Sequence, residues 1–387
     1  MNSEQLLARL IAFDTTSTRS NLELIDFLRN LLDDHGVESQ LVPSEDNTRA
    51  NLYATIGPDD VGGIMLSGHT DVVPTTGQDW HSDPYRMKTE DKLLLGRGAC
   101  DMKGFIACVL AGLPQMAAER LRTPIHLAFS YDEEIGCVGA RRLVESMAAF
   151  EVKPRLGLIG EPTSMNMVLG HKGKVSFQVT VKGLSCHSAY ISSGVNAVEY
   201  AAELIAFIRG MNRRVREQLV DDSYTVPHTT FHVGNINGGT ALNIVPQQCQ
   251  FEFEIRNLPQ QDLDALVHEI RHYASDVLLP DMRSRHPDSD INFEEISYYP
   301  GLHTDPASAV IACTRAINPI DEIGDNVSFG TEAGLFDGLG INSLICGPGS
   351  IEQAHKPDEF VSREQLRHCD TMIENLVHRC RETAEFG

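Results

Sequence analysis

Several absences narrow this chain's chemistry. No stretch of about 18 apolar residues is present, so no segment reads as a membrane-spanning helix. The opening MNSEQLLARLIAF has no basic flank and too short an apolar run for a signal peptide, and a cytoplasmic location is expected. Nine cysteines are an odd number and form no C-x-x-C pair, so they read as reduced core residues. Basic residues are scarce, 32 Lys and Arg against 54 Asp and Glu. The resulting charge of −22 repels nucleic-acid phosphates and anionic membrane surfaces, so neither is an expected partner. The same charge favours solubility and mildly attracts cationic solutes. Gly96, Gly98 and Gly104 do not make G-x-G-x-x-G, which removes a dinucleotide-dependent dehydrogenase. No G-x-S-x-G occurs either, which removes a serine hydrolase built on a nucleophile elbow.

What is present is an enzyme-like composition, 42% hydrophobic and 22% charged over 387 residues, enough for one large domain or two ordinary ones. Leu6, Leu7, Leu10 and Ile11 mark an amphipathic first helix. A second is expected to start at a capping box, Ser20 with Glu23, bury Leu24, Phe27, Leu28, Leu31 and Leu32, and stop at Gly36. Buried strands are read at 51–56, 63–67, 125–130 and 156–159, with helices at 105–120 and 138–147 between the later ones. From Lys174 the rhythm becomes β-α-β-β-α-β through about Ile296, the split ferredoxin-like order. Helix and strand alternation then resumes to a final helix near 362–381. The expected organisation is an α/β domain of 1–173 and 299–387 with an inserted α+β domain at 174–298.

Metal-type ligands recur just beyond the strand ends, where open α/β sheets place their sites. His69 and Asp71 follow IMLSG, Asp101 follows LLLGRGAC, Asp132, Glu133 and Glu134 follow IHLAFSY, Glu161 follows LGLIG, and His355 follows SLICGPGS. Taken singly, each has a plainer explanation. His69 and His355 could be loop histidines, Asp101 a helix cap, Glu133 and Glu134 complements to a helix dipole, and Glu161 a turn carboxylate. Taken together they suit zinc, with cobalt or manganese as substitutes, and are too rich in histidine for a typical calcium site. Five protein ligands also exceed what one tetrahedral catalytic zinc accepts, and a carboxylate shared between two metals resolves the excess.

The segments GHTDVVP (68–74), GRGACDMKG (96–104), SYDEEIG (130–136), GEPT (160–163) and QAHKPDE (353–359) resemble the acetylornithine deacetylase and succinyl-diaminopimelate desuccinylase family of di-zinc hydrolases. The resemblance covers essentially the whole chain. It implies a zinc-peptidase-like catalytic domain with a mixed central sheet and an inserted lid or dimerisation domain. It further implies that Asp101 bridges two Zn2+, with His69 and Glu161 completing one site and Glu134 and His355 the other. Glu133 matches the family's general base and Asp71 the residue that orients His69. In GLSCHSA, His187 matches a histidine that reaches a partner subunit's site and stabilises the oxyanion, which requires a homodimer. Asn243 and Arg256 match substrate-domain positions. Arg256 could bind a substrate carboxylate or form a surface ion pair.

GHKGK at 170–174, SYDEEIGC and SFGTEAGLF at 328–336 lean toward the acetylornithine branch, and so toward arginine biosynthesis. Glu332 then reads either as a partner for ornithine's cationic side chain or as a helix N-terminal acid. Acetylcitrulline, succinyl-diaminopimelate and a broader range of N-acyl amino acids remain open as substrates. So does a non-catalytic metal-binding paralogue, against which the retained Glu133 argues.

Overall fold

A computed structural model describes residues 1–383 and divides the chain into two compact units. The first comprises Met1–Gly170, Leu302–Asn326 and the residues from Thr331 onward; the second comprises His171–Gly301 and Val327–Gly330. The second unit thus begins a few residues before the expected 174 and ends a few after 298. It also gathers in a four-residue return far along the chain.

The first unit is built on a six-stranded sheet. Its spatial order is Ser39–Pro43, Ala50–Ile56, Ile125–Ser130, Ile64–His69, Leu156–Ile159 and Asn342–Ile345. The first two pairings are antiparallel and the remaining three parallel, so the sheet is mixed. The parallel strands IMLSGH, IHLAFS and LGLI are buried at every position. Their unbroken apolar runs reflect burial on both faces, where an alternating pattern would expose one. Helix Lys103–Ala118 is buried over most of its circumference and packs against Ser3–Ile11 and Arg363–Glu382.

Local details depart from the expected pattern in physically readable ways. The second helix runs Leu22–Asp33 behind Asn21, and no Ser20–Glu23 capping box forms. The Asn21 side chain is used elsewhere: its amide nitrogen donates to the Ala50 carbonyl (2.9 Å) and its oxygen accepts from the Ala50 amide (3.0 Å). A capping box forms instead at the first helix, between Asn2 and Gln5. The LLL run at 93–95 pairs with Lys88–Glu90 and Phe360–Ser362 in a separate small sheet.

The second unit holds a four-stranded antiparallel sheet ordered Thr230–Gly238, Gln248–Asn257, Gly173–Lys182 and Asp290–Tyr299. Val175, Phe177, Val179 and Val181 alternate inward and meet Leu204, Ile208, Leu266 and Ile270 from the helices. The expected helix at 261–278 runs Leu263–His272, continues as a π turn over Tyr273–Leu278, and extends through Leu279–Arg285. Pro280 in the following turn has no N–H to donate, which is the usual setting for a widened turn just before it.

Candidate metal centre

Because the parallel strands end on one side, the residues just past them converge. The His69 ring, closing its strand, points Nδ1 at the main-chain oxygen of Asp71 (3.0 Å), with the Asp71 carboxylate 3.5 Å away. Donation from Nδ1 leaves the Nε2 lone pair facing Asp101 Oδ1 (3.0 Å) and Glu161 Oε1 (3.7 Å). The other oxygen of Asp101 lies 3.3 Å from His355 Nε2, which is also 3.0 Å from Glu134. Asp101 therefore stands between two imidazoles. It is not a helix cap, since Met102 occupies that position and caps without its side chain.

The three successive acids after IHLAFSY separate in space. Asp132 turns away at a positive φ, accepts from the Thr18 amide (2.9 Å) and pairs with Arg49. Glu133 and Glu134 turn toward the cluster, and their amides donate to the two oxygens of Asp71 (3.0 and 3.3 Å). Ser17 adds a third hydrogen bond to that carboxylate (2.7 Å). Asp71 thus holds the acidic turn as well as facing His69. Two overlapping triples have donor atoms within 4.8 Å of one another: His69, Glu133 and Glu161, and His69, Asp101 and Glu134.

The electrostatics of this cluster favour a cation. Burial pushes the Glu133 and Glu161 carboxyls well above the ordinary range, and neighbouring acids add to it. Burial, then Asp101, raises Glu134 to about 7. Hydrogen bonds to Asp101 and Glu134 raise His355 to about 10. Burial works against ionised Asp101, but hydrogen bonds from His355 and His69 outweigh it and hold the carboxyl below its usual value. Five carboxylates crowded around two imidazoles would otherwise share protons, and divalent cations let them all ionise. The oxygen and nitrogen donor set fits zinc-type ions.

The model of peptidase family M20/M25/M40 matches residues 65–379. The chain belongs to this family. An acetylornithine deacetylase of Proteus mirabilis is 34% identical over 381 residues, covering 96% of this chain and 94% of that one. Its counterpart in Pasteurella multocida is 32% identical, covering 96% of each. Among solved structures, an M20-family metallo-carboxypeptidase of Sulfolobus solfataricus shares the fold, with a TM-score of 0.77 at 18% identity over 99% of this chain and 100% of that one. The chain is accordingly an M20-family hydrolase, and the family is metal-dependent.

Other candidate residues of this M20 hydrolase belong to the second unit or, within the first, lie beneath the cluster. In the second unit, His187 and Asn243 are exposed neighbours: the Ser188 amide donates to the Asn243 carbonyl (3.0 Å), and His187 bridges Ile244. His187 Nδ1 accepts from the Ala189 amide (3.1 Å). Half-buried Arg256 donates Nε to Glu254 (2.8 Å), an ion pair within its own strand. Glu332 is fully buried, with Ser67 Oγ donating to one oxygen (2.5 Å) and Ser130 Oγ to the other (2.6 Å). With both oxygens engaged inside the sheet, it offers no face to a substrate. It acts instead as a tie between the two strands that lead to His69 and to Glu133.

Sequence reasoning missed several supporting residues, Ser17, Arg97, Cys137 and Glu359 among them. The Cys137 thiol donates to Glu133 Oε1 (3.4 Å), so one of the nine cysteines touches the site. Glu359 closes the QAHKPDE segment, where only the neighbouring His355 is a conspicuous ligand type.

Proposed function

We propose that the chain is a di-zinc amidohydrolase that removes the acetyl group from N-acetylornithine to give ornithine and acetate, the step expected of it in arginine biosynthesis. The observation that carries this reading is the division of Asp101, one oxygen toward His69 and the other toward His355. Supporting it are relatives named acetylornithine deacetylase that align along nearly the whole chain. In this reading His69 and Glu161 hold one Zn2+, Glu134 and His355 the other, and Asp101 both; Co2+ or Mn2+ could substitute. When bound, the cation pair polarises the amide carbonyl and makes water acidic enough to react near neutral pH.

The protein's own groups perform the remaining steps. Glu133, buried and not needed as a ligand, takes a proton from the attacking water as its oxygen bonds to the acetyl carbon. The C–N bond then breaks and Glu133 returns that proton to the departing amine, leaving acetate. Asp71 keeps Glu133 in place through its amide and fixes the tautomer of His69. His187 of the partner subunit donates to the developing oxyanion, which makes the working enzyme a homodimer. Asn243 and Arg256 contact the substrate, with Arg256 exchanging Glu254 for the substrate carboxylate. A cytoplasmic location accompanies this reading.

The burial of Glu332 favours a second reading, N-acetylcitrulline. It removes the one acid put forward as a partner for ornithine's ammonium, and a single swapped polar contact redirects such pockets. A deacylation screen of acetylornithine, acetylcitrulline, acetylmethionine and succinyl-diaminopimelate with added Zn2+ or Co2+ tests both. Highest kcat/KM for acetylornithine is expected. A citrulline preference would support the second reading, and an inert, fully metallated protein would end both.

A further inference from the structure

We propose that Glu359 is a positioning residue of the metal centre, tying the turn that presents Asp101 to the segment that presents His355. The inference rests on the di-zinc reading above. The Glu359 side chain is 1% exposed, and its two oxygens accept four hydrogen bonds from one short turn. Oε1 accepts from the amides of Cys100 (2.9 Å) and Asp101 (3.0 Å). Oε2 accepts from the Gly98 amide (3.1 Å) and from Arg97 Nη1 (2.6 Å). The Glu359 main-chain oxygen takes the Gly96 amide as well (2.9 Å). Convergent backbone N–H groups of this kind form an anion nest, and here the protein fills it with its own carboxylate.

The nest is built into the turn. Gly98 has φ +81°, and a Cβ there would meet Val72 Cγ1 at 2.8 Å, so the turn needs glycine. A second path closes on the other ligand. Arg97, also 1% exposed, stacks 5.0 Å from the Trp80 ring and donates to Gln78 Oε1, while Gln78 Nε2 donates to the His355 carbonyl (3.0 Å). Glu359 therefore acts on Asp101 through its amide and on His355 through Arg97 and Gln78. The spacing between these two ligands sets the site completed by Glu134. The opposite site shares Asp101 but is anchored as well by His69 and Glu161, which other elements hold, so it feels the tie less.

Glu359→Gln tests this without changing side-chain shape, because its NH2 group would face backbone donors. Purified full-length protein is dialysed against graded chelator, and zinc per chain is counted alongside kcat, KM and circular dichroism. Wild type should show two zinc ions. The variant should be folded and should hold the ion at Glu134 and His355 about 10- to 100-fold more weakly, the ion at His69 and Glu161 with a clearly smaller loss, with kcat lowered and KM little changed. At the chelator level that empties the weaker site, adding His355→Ala should cost no further zinc, whereas adding His69→Ala should remove the ion that remains. Should Glu359→Gln fail to fold, Glu359→Asp keeps the charge beside Arg97 but is about 1.5 Å too short to span the nest. It carries the same expectation. Two sites of unchanged affinity, or two weakened equally, would overturn the proposal, whereas wild type holding fewer than two zinc ions would sink the di-zinc reading instead.

Discussion

At the strand ends of the first unit, Asp71, Asp101, Glu133 and Glu161 are buried, and each has a partner within the chain. In the second unit, His187 and Asn243 are exposed, and the contacts they make are local ones between neighbouring backbone segments. The contrast teaches that the two groups are set up by different means. Side chains that must hold charge at fixed separation are over-determined from within, by hydrogen bonds to several chain segments. His187 and Asn243, proposed to meet a substrate or a second subunit, sit on a surface shaped by backbone turns. In energetic terms, a change in the first group disturbs its neighbours, and a change in the second removes only its own contact.

The largest expected effect tests the buried group. Glu133→Gln should keep both metals and lower kcat by about 10²- to 10⁴-fold, measured as acetate release with metal content in parallel. Wild-type turnover would remove Glu133 as the base. Next comes the exposed group: His187→Ala should lower kcat by about 10²- to 10³-fold with metal content and melting temperature unchanged. Mixing it with Glu133→Gln protein should restore some activity if subunits share a site, and a mixture as inactive as its parts would argue against sharing. A smaller effect sharpens the boundary between the groups. Glu332→Ala should lower stability by roughly 2–4 kcal/mol in denaturant titration by stranding the Ser67 and Ser130 hydroxyls, with KM nearly unchanged. A large rise in KM at unchanged stability would return Glu332 to the substrate pocket.

The smallest effect isolates burial alone. His126 lies within the first unit's sheet, 3% exposed, and burial holds it down to about 4 from an ordinary 6.5. Below pH 6.5 the unfolded chain binds a proton that the folded chain refuses, so stability is full above pH 6.5 and falls as the pH drops toward 4. The loss should reach about 1.4 kcal/mol near pH 5.5, and His126→Phe should flatten that part of the profile.

The parallel strands were legible because full burial writes an unbroken apolar run, and the ferredoxin-like order because Val175 to Val181 alternate with period two. The strand at Ser39–Pro43 left a faint trace, since it is only half-buried and sits at the sheet edge. The capping box at Ser20 misled because local pattern does not reveal that Asn21 is claimed by Ala50, 29 residues away. The ligand types stood out because His, Asp and Glu directly after apolar strands are chemically conspicuous. Residues that support them did not stand out, since Arg97, Glu359 and Glu332 look like ordinary charges until the fold buries them. Glu332 shows the limit most clearly: its motif suggested a substrate contact, and only three-dimensional packing reveals the two serines.

The central claim is that Asp101 is shared between two cations. Diffraction from crystals of the zinc-loaded protein, recorded at the zinc absorption edge, tests it directly. The account predicts two anomalous peaks roughly 3.5–4 Å apart, with one oxygen of Asp101 on each, His69 and Glu161 on the first and Glu134 and His355 on the second. A single peak, or two peaks with Asp101 bound to neither or only one, would contradict it.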